Sequence, residues 1–249
     1  MKSDTDMIFG LHALEAALKY QPDDIQEVWL DSHRRDKRIQ AIMTLAKKAG
    51  IRIQSVNRDY LDDRFPDQRH QGAAARVRAG KPGTERDLDQ ILNDESQPFL
   101  LILDGVQDPH NLGACLRSAD AAGVHAVITP KDRAVGLTAT VRKVASGAAQ
   151  RVPLIQVTNL ARTLRDLQEA GVWLVGLAGE SEQDLYDCDL KGPIAVIMGA
   201  EGEGMRRLTR EHCDFLVKIP MSGTVESLNV SVATGICLFE VVRQRKSSK

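Results

Sequence analysis

Two periodicities alternate along the 249-residue chain. Short, mostly apolar runs of strand length recur at 25–30, 51–56, 73–77, 99–103, 124–128, 152–157, 172–177, 194–198 and 215–219. Apolar residues at helical spacing mark 36–49, 84–92, 112–122, 160–170, 205–212 and 230–245. In 36–49, Ile39, Ile42, Met43 and Ala46 share a face, and Gly50 stands where a helix C-cap belongs. From residue 84 onward strands and helices alternate to the end. That predicts an α/β fold with a mostly parallel sheet covered on both faces. The first eighty residues carry a smaller alternation of their own, and Ala79-Gly80-Lys81-Pro82-Gly83-Thr84 has the composition of a linker. The predicted organisation is a small α/β domain over 1–78, a linker over 79–85 and a larger α/β domain over 86–249. Ligands of parallel sheets bind beyond the carboxyl ends of the strands, so the loops there hold the candidate chemistry.

Composition narrows the class. With 43% hydrophobic and 27% charged residues the chain has ordinary globular usage, which excludes collagen-like, low-complexity and wholly disordered classes. Its longest apolar runs, at 99–103 and 194–198, are far shorter than the roughly 18 residues that cross a bilayer. Asp4 and Asp6 stand where a secretory signal would be positive. A cytoplasmic protein with no membrane partner is expected. Cys115, Cys188, Cys213 and Cys237 lie far apart, with no Cys-x-x-Cys pair and no histidine at ligand spacing, so packing thiols and no metal are expected.

A net charge of −1 speaks against a nucleic-acid partner, until the chain is divided. Residues 33–81 carry thirteen basic side chains against five acidic, a charge of +8, between two acidic segments. Arg34, Arg35, Lys37 and Arg38 lead that block. Solvated helix faces and a phosphate-binding surface both fit it.

Three loops that follow predicted strands are unusually rich in functional groups. The first runs from Asp104 through Asp108, Pro109, Asn111 and Gly113 to Arg117. Asp108 or Asn111 can cap a helix there, but a turn does not explain Arg117, set among Ala114, Ser118 and Ala119. The second, Gly199-Ala200-Glu201-Gly202-Glu203-Gly204-Met205, has three glycines in six residues, which fit a tight strand-to-helix turn or backbone brought against a ligand, and it lacks the lysine and hydroxyl of a P-loop. It suits an uncharged or cationic ligand held through backbone groups. The third carries Ser222, Gly223, Glu226, Ser227, Asn229 and Ser231 into the last helix. Buried without partners, such polar groups cost roughly 1–3 kcal/mol each, so local or ligand partners are expected.

In this order, N-x-x-x-x-x-R at 111–117, M-G-A-E-G-E-G-M at 198–205 and I-P-M-S-G-T-V-E-S-L-N-V-S-V-A at 219–233 resemble the three motifs of the SpoU (TrmH-like) class of SPOUT RNA ribose 2'-O-methyltransferases. Phe9-Gly10-Leu11-His12 and His70-Gln71-Gly72 resemble the small substrate-binding domain of its bacterial large-subunit rRNA subgroup, so the likeness spans the chain. One small difference is Ala73, where a larger aliphatic residue is expected. The resemblance implies a C-terminal trefoil-knotted methyltransferase domain behind a small L30e-like RNA-binding domain. It also implies a homodimer, and S-adenosylmethionine held within the knot at Gly199, Ile219 and Leu228, with no metal. Asn111, Arg117, Glu201, Ser227 and Asn229 would form the active site, and Arg34, Arg35, Lys37 and Arg38 would hold RNA. The implied substrate is a guanosine ribose of 23S rRNA, free or in a large-subunit assembly intermediate.

Arg117 matches the residue to which the class assigns uptake of the hydroxyl proton. A guanidinium stays protonated near neutral pH, which favours a grip on the phosphate beside the target ribose and stabilisation of the emerging alkoxide. The apolar face of the last helix, with Val232, Ile236, Phe239 and Val242, is expected to serve as core or dimer contact. A tRNA methyltransferase and a non-catalytic RNA-binding or ribosome-assembly protein are the alternatives. A nucleotide-dependent oxidoreductase lacks its fingerprint.

Overall fold

The computed structural model describes residues 5–20, 22–78 and 82–247. Positions 79–81 of the expected linker lie outside the described residues.

Two sheets divide the chain. The first is built from β1 (Thr5–Phe9), β2 (Ile25–Asp31), β3 (Arg52–Val56) and β4 (Ala73–Arg78), in the order β1-β4-β2-β3. β4 runs antiparallel to both neighbours and β2 pairs parallel with β3. Helices α1 (Leu11–Tyr20) and α2 (Lys37–Lys48) cover one face through Leu14, Leu18, Ile39, Ile42 and Ala46, which are buried against Val28 and Ala75. Asp36 caps α2 by accepting from the backbone of Arg38 and Ile39. On the other face α3 (Arg58–Arg64) brings Leu61 against Trp29, Phe9 and Phe65.

The second sheet is parallel throughout, in the order β10-β8-β9-β5-β6-β7. Its strands are β5 (Phe99–Asp104), β6 (Ala126–Pro130), β7 (Leu154–Val157), β8 (Trp173–Leu177), β9 (Ile194–Gly199) and β10 (Phe215–Val217). Leu100 and Ile102 face one layer, with α4 (Glu85–Asp94) and α7 (Leu160–Glu169) supplying Leu88, Leu160, Leu164 and Leu167. Leu101 and Leu103 face the other, where α5 (Pro109–Ala122), α6 (Ala139–Ala145) and α9 (Val230–Lys246) supply Leu112, Leu116, Val141, Cys237 and Leu238. Strands buried on both faces read as continuous apolar runs, as 99–103 does. A short α8 (Arg207–Glu211) follows the glycine loop, two residues later than the pattern predicts, because Met205 and Arg206 belong to that loop.

β1, α1, α3 and α6 are elements beyond those predicted, and α5 starts three residues before the predicted 112. Asp108 caps that helix by accepting from the His110 N–H (2.9 Å), and Pro109 fills the first turn. Asn111 therefore lies inside the helix with its amide free for other work. Gly113 lets α6 come close, since a Cβ there would sit 2.6 Å from Val144 Cβ. α6 in turn meets the first domain: Lys143 Nζ donates to Gln68 Oε1 (3.4 Å), and a Cβ on Gly147 would lie 2.9 Å from Ala16 Cβ.

Candidate active site

The three loops converge at the carboxyl ends of β5 and β9. After β9 the chain makes a tight hairpin, in which Ala200 and Gly204 exchange backbone hydrogen bonds of 2.9 Å in both directions. Gly202 and Gly204 have φ of +81° and +69°, and a Cβ on Gly199 would lie 2.1 Å from Gly204 C. All three glycines are thus required by the loop's own closure.

Side chains pin this hairpin at two points. Asp104, 1% exposed at the end of β5, accepts from Arg206 N (2.9 Å) and Arg206 Nε (2.6 Å). Asn111, buried in the first turn of α5, donates from Nδ2 to Glu201 Oε2 (3.1 Å). Asn111 Oδ1 accepts from Asn229 Nδ2 (3.0 Å), and Asn229 Oδ1 accepts from Ser231 N and Oγ (2.9 and 2.6 Å) while capping α9. A continuous chain of hydrogen bonds thus joins Ser231, Asn229, Asn111 and Glu201 across all three loops. The polar row at the entry to α9 is not fully buried: Ser227 and Asn229 are exposed, Ser231 is partnered locally by Asn229, and Asn229 also reaches Asn111 across the fold.

Beside this chain lies a cavity of about 310 Å³. Gly199, Glu201, Ile219, Ser227 and Leu228 all line it, together with Leu177, Gly179, Met198 and Glu226. Among the described residues no lysine or arginine does. A cavity of backbone, aliphatic groups and two carboxylates takes an uncharged ring and a cationic group, and would repel a phosphate. The second carboxylate is Glu226; Glu203, the other candidate counter-charge in the glycine loop, does not line the cavity.

Arg117 is elsewhere. It is exposed on α5, seven residues after His110, and both line a separate cleft of about 660 Å³ between the two domains. Of the expected RNA-holding residues, Arg34 is engaged within its own domain, pairing with Asp36 and donating to the Gln71 carbonyl (2.5 Å). Arg38 Nη1 donates to His12 Nε2 (2.8 Å). Arg35 and Lys37 are exposed at the start of α2. His70-Gln71-Gly72 builds a turn. Buried His70 accepts the Gly72 N–H at Nδ1 (3.1 Å) and donates from Nε2 to Asp62 (2.8 Å), and Gln71 and Gly72 adopt φ of +52° and +75°.

Sequence reasoning did not single out Asp104 with Arg206, or Glu226 as a cavity residue. A signal was available for Asp104, a lone carboxylate ending an otherwise apolar strand. The cysteines are free, and burial pushes the thiols of Cys115 to about 11 and of Cys213 and Cys237 to about 12. They are therefore neutral packing groups. Among the described residues no His, Cys, Asp and Glu cluster could hold a metal, and no helix is long and apolar enough to cross a membrane.

A methylase architecture agrees with the comparisons. The model of the SpoU rRNA Methylase family matches residues 98–239, and that of RNA 2'-O ribose methyltransferase substrate binding matches 7–82. The chain belongs to the SpoU rRNA methylase family. It is 62% identical over 97% of its length, and 98% of the relative's, to the 23S rRNA (guanosine-2'-O-)-methyltransferase RlmB of Shewanella oneidensis. To the protein of that name from Escherichia coli it is 59% identical over 97% of this chain and 99% of that one. The fold is that of the SpoU methyltransferase AviRb from Streptomyces viridochromogenes in complex with AdoMet (TM-score 0.80, 24% identity, 99% of this chain and 92% of that one). The TrmH/SpoU tRNA modifying enzyme of A. aeolicus matches over 66% of this chain and 85% of its own (TM-score 0.56, 28% identity).

Proposed function

We propose that this protein methylates the 2'-oxygen of a guanosine ribose in 23S rRNA, with S-adenosylmethionine as methyl donor. The carrying observation is the hydrogen-bonded chain Asn229–Asn111–Glu201 at the lip of a cavity free of cations. The nearly full-length likeness to RlmB proteins of two bacteria supports the substrate, as free rRNA or within a large-subunit assembly intermediate.

The cavity suits the donor: the backbone at Gly199, Ile219 and Leu228 would hold the nucleoside, and Glu201 and Glu226 would complement the sulfonium charge. When bound, the donor supplies a methyl carbon made electrophilic by the adjacent sulfonium. Asn111 and Asn229 fix Glu201 and orient the ribose for in-line approach to that carbon. Ser227 offers a hydroxyl to a polar end of either reactant. Arg117 grips the phosphate beside the target ribose and stabilises the developing alkoxide as the 2'-hydroxyl passes its proton to solvent water.

Arg117 does not line the cavity of its own protomer, and a homodimer that brings Arg117 of a second copy to the site would supply it. α9 supports such a contact. Its core face is Val230, Ala233, Thr234, Cys237, Leu238 and Val241, whereas Val232 and Phe239 are 52% and 49% exposed. Val232 and Phe239 thus leave an apolar strip on the outer side of the helix that a second copy would cover. The same reading takes 1–78 as the substrate-binding domain, 79–85 as linker, 86–249 as a knotted methyltransferase domain, and a cytoplasmic setting. The return of α9 from the edge strand β10 to pack on α5 and β9 at the sheet centre supports the knot. Arg35 and Lys37 remain candidates for RNA contact.

The test is incubation with methyl-labelled S-adenosylmethionine and unmodified 23S rRNA or tRNA, followed by mapping of the label. A single 2'-O-methylguanosine in 23S rRNA is expected. Label in tRNA alone overturns the substrate, and no label in either overturns the activity.

A further inference from the structure

The cleft between the domains has the charge character opposite to that of the cofactor-sized cavity. One wall is β1 (Met7, Ile8, Phe9), Ala13 of α1 and the Gln68–Arg69 turn; the other is His110 and Arg117 on α5, with Thr140, Arg142 and Lys143 on α6. Among the described residues no aspartate or glutamate lines it. The neighbouring interdomain cavity, by contrast, carries Asp24, Asp87 and Asp94. Arg69 and Arg117 are exposed, and no acidic partner engages either among the described residues. Lys143 is exposed too, and its bond to Gln68 ties the two walls together. Grouping Arg69, Arg117 and Lys143 around one space with no carboxylate among the described lining residues is electrostatically unfavourable unless an anion enters.

We propose that this cleft is a channel for the backbone of a single-stranded RNA segment, in which Arg69 and Lys143 contact phosphates alongside Arg117. It rests on the reading of the protein as an RNA methyltransferase and adds where the strand runs. Three features point to a single strand. At about 660 Å³ the cleft has the dimensions of a small-molecule site, too small for an A-form duplex. Half-buried Met7 and Phe9 on its wall offer apolar surface on which an unpaired base can stack. The channel also leads to the reaction site, because Arg117, which lines it, is the residue that grips the phosphate beside the target ribose.

The test is RNA affinity against salt for the intact protein and for Arg69→Gln, Lys143→Gln and the double variant. The probe is a fluorescent single-stranded RNA oligonucleotide, with the same sequence annealed into a duplex as the second arm. Each lost phosphate contact should lower the magnitude of the log–log salt slope by about 0.7, which near 0.15 M salt is roughly a four-fold loss of affinity, and about 15-fold for both. KM for unmodified 23S rRNA should rise in parallel while kcat and S-adenosylmethionine affinity hold, which also reports an intact fold. Arg69→Lys and Lys143→Arg should retain the slope. So should Gln68→Ala, which cuts the bond between the walls but keeps every charge. A wild-type slope in the double variant overturns the channel, as does equal binding of duplex and single strand, or a loss reproduced by Gln68→Ala. A wild-type protein that binds single strands steeply but methylates no RNA overturns the functional reading and leaves the channel standing.

Discussion

Two cavities in the chain are lined by opposite charges. Among the described residues, the one at the ends of β5 and β9 has Glu201 and Glu226 and no basic residue, and the cleft between the domains has Arg69, Arg117, Arg142 and Lys143 and no acidic residue. They lie on either side of the first turn of α5, where neighbouring residues serve one each: His110 lines the cleft and Asn111 holds Glu201. A net charge of −1 conceals this separation. The difference teaches that a nucleic-acid enzyme with a cationic donor must keep two fields apart. A basic surface that attracts phosphates would repel a sulfonium, and a carboxylate pair that favours the sulfonium would repel RNA.

The largest expected effect comes from Arg117→Ala. Methyl transfer should fall by about 10²–10³-fold or more in a single-turnover assay, with S-adenosylmethionine affinity by calorimetry nearly unchanged. An active variant would remove Arg117 from the mechanism. Removing residues 1–78 strikes the cleft alone. The two domains bury separate apolar clusters, so the remainder should stay folded and bind S-adenosylmethionine, while the salt slope of its RNA affinity in a filter-binding titration falls by at least the roughly 0.7 that Arg69 contributes.

Asp104→Asn strikes the other cavity. Losing a charged acceptor for Arg206 frees one end of the glycine loop, and donor affinity should weaken about ten-fold with RNA affinity intact. Glu201→Gln is milder, because the amide oxygen still accepts from Asn111. Turnover should fall about five-fold through the lost charge, and unchanged turnover would make Glu201 purely structural. The smallest effect concerns the thiols. Burial raises Cys115, Cys213 and Cys237 above the ordinary value of 9.0 to about 11–12, so the folded chain binds protons that the unfolded chain releases. Stability is fully present below pH 9 and declines as the pH rises through that window, and alkylation near pH 8 should be slow until denaturant is added.

Much of this was legible because local chemistry and tertiary packing agree. The apolar run 99–103 became a central parallel strand, and Asp108, Thr84 and Asp36 stand ahead of helices as capping chemistry requires. β1 escaped notice because its pairing partner β4 lies some seventy residues away in the chain and its own five residues carry little periodic signal. α6 escaped for a similar reason: it is two turns long and held by contact with Gly113. Gly199, Ile219 and Leu228 meet as their motifs suggest, but the separation of Arg117 from them is invisible in a motif, which records order along the chain and not the face of a helix. The basic block is legible in its charge, but the bonds that hold Arg34 and Arg38 within their own domain depend on residues far off in the chain, Gln71 and His12.

A salt titration of both affinities in the intact protein tests the separation of the two fields most directly. Three phosphate contacts in the cleft give a log–log slope near −2, so RNA affinity should fall about 20-fold between roughly 50 and 200 mM salt. S-adenosylmethionine affinity should change less than about two-fold over the same range. An RNA affinity indifferent to salt, or a donor affinity that follows it down, would contradict the account.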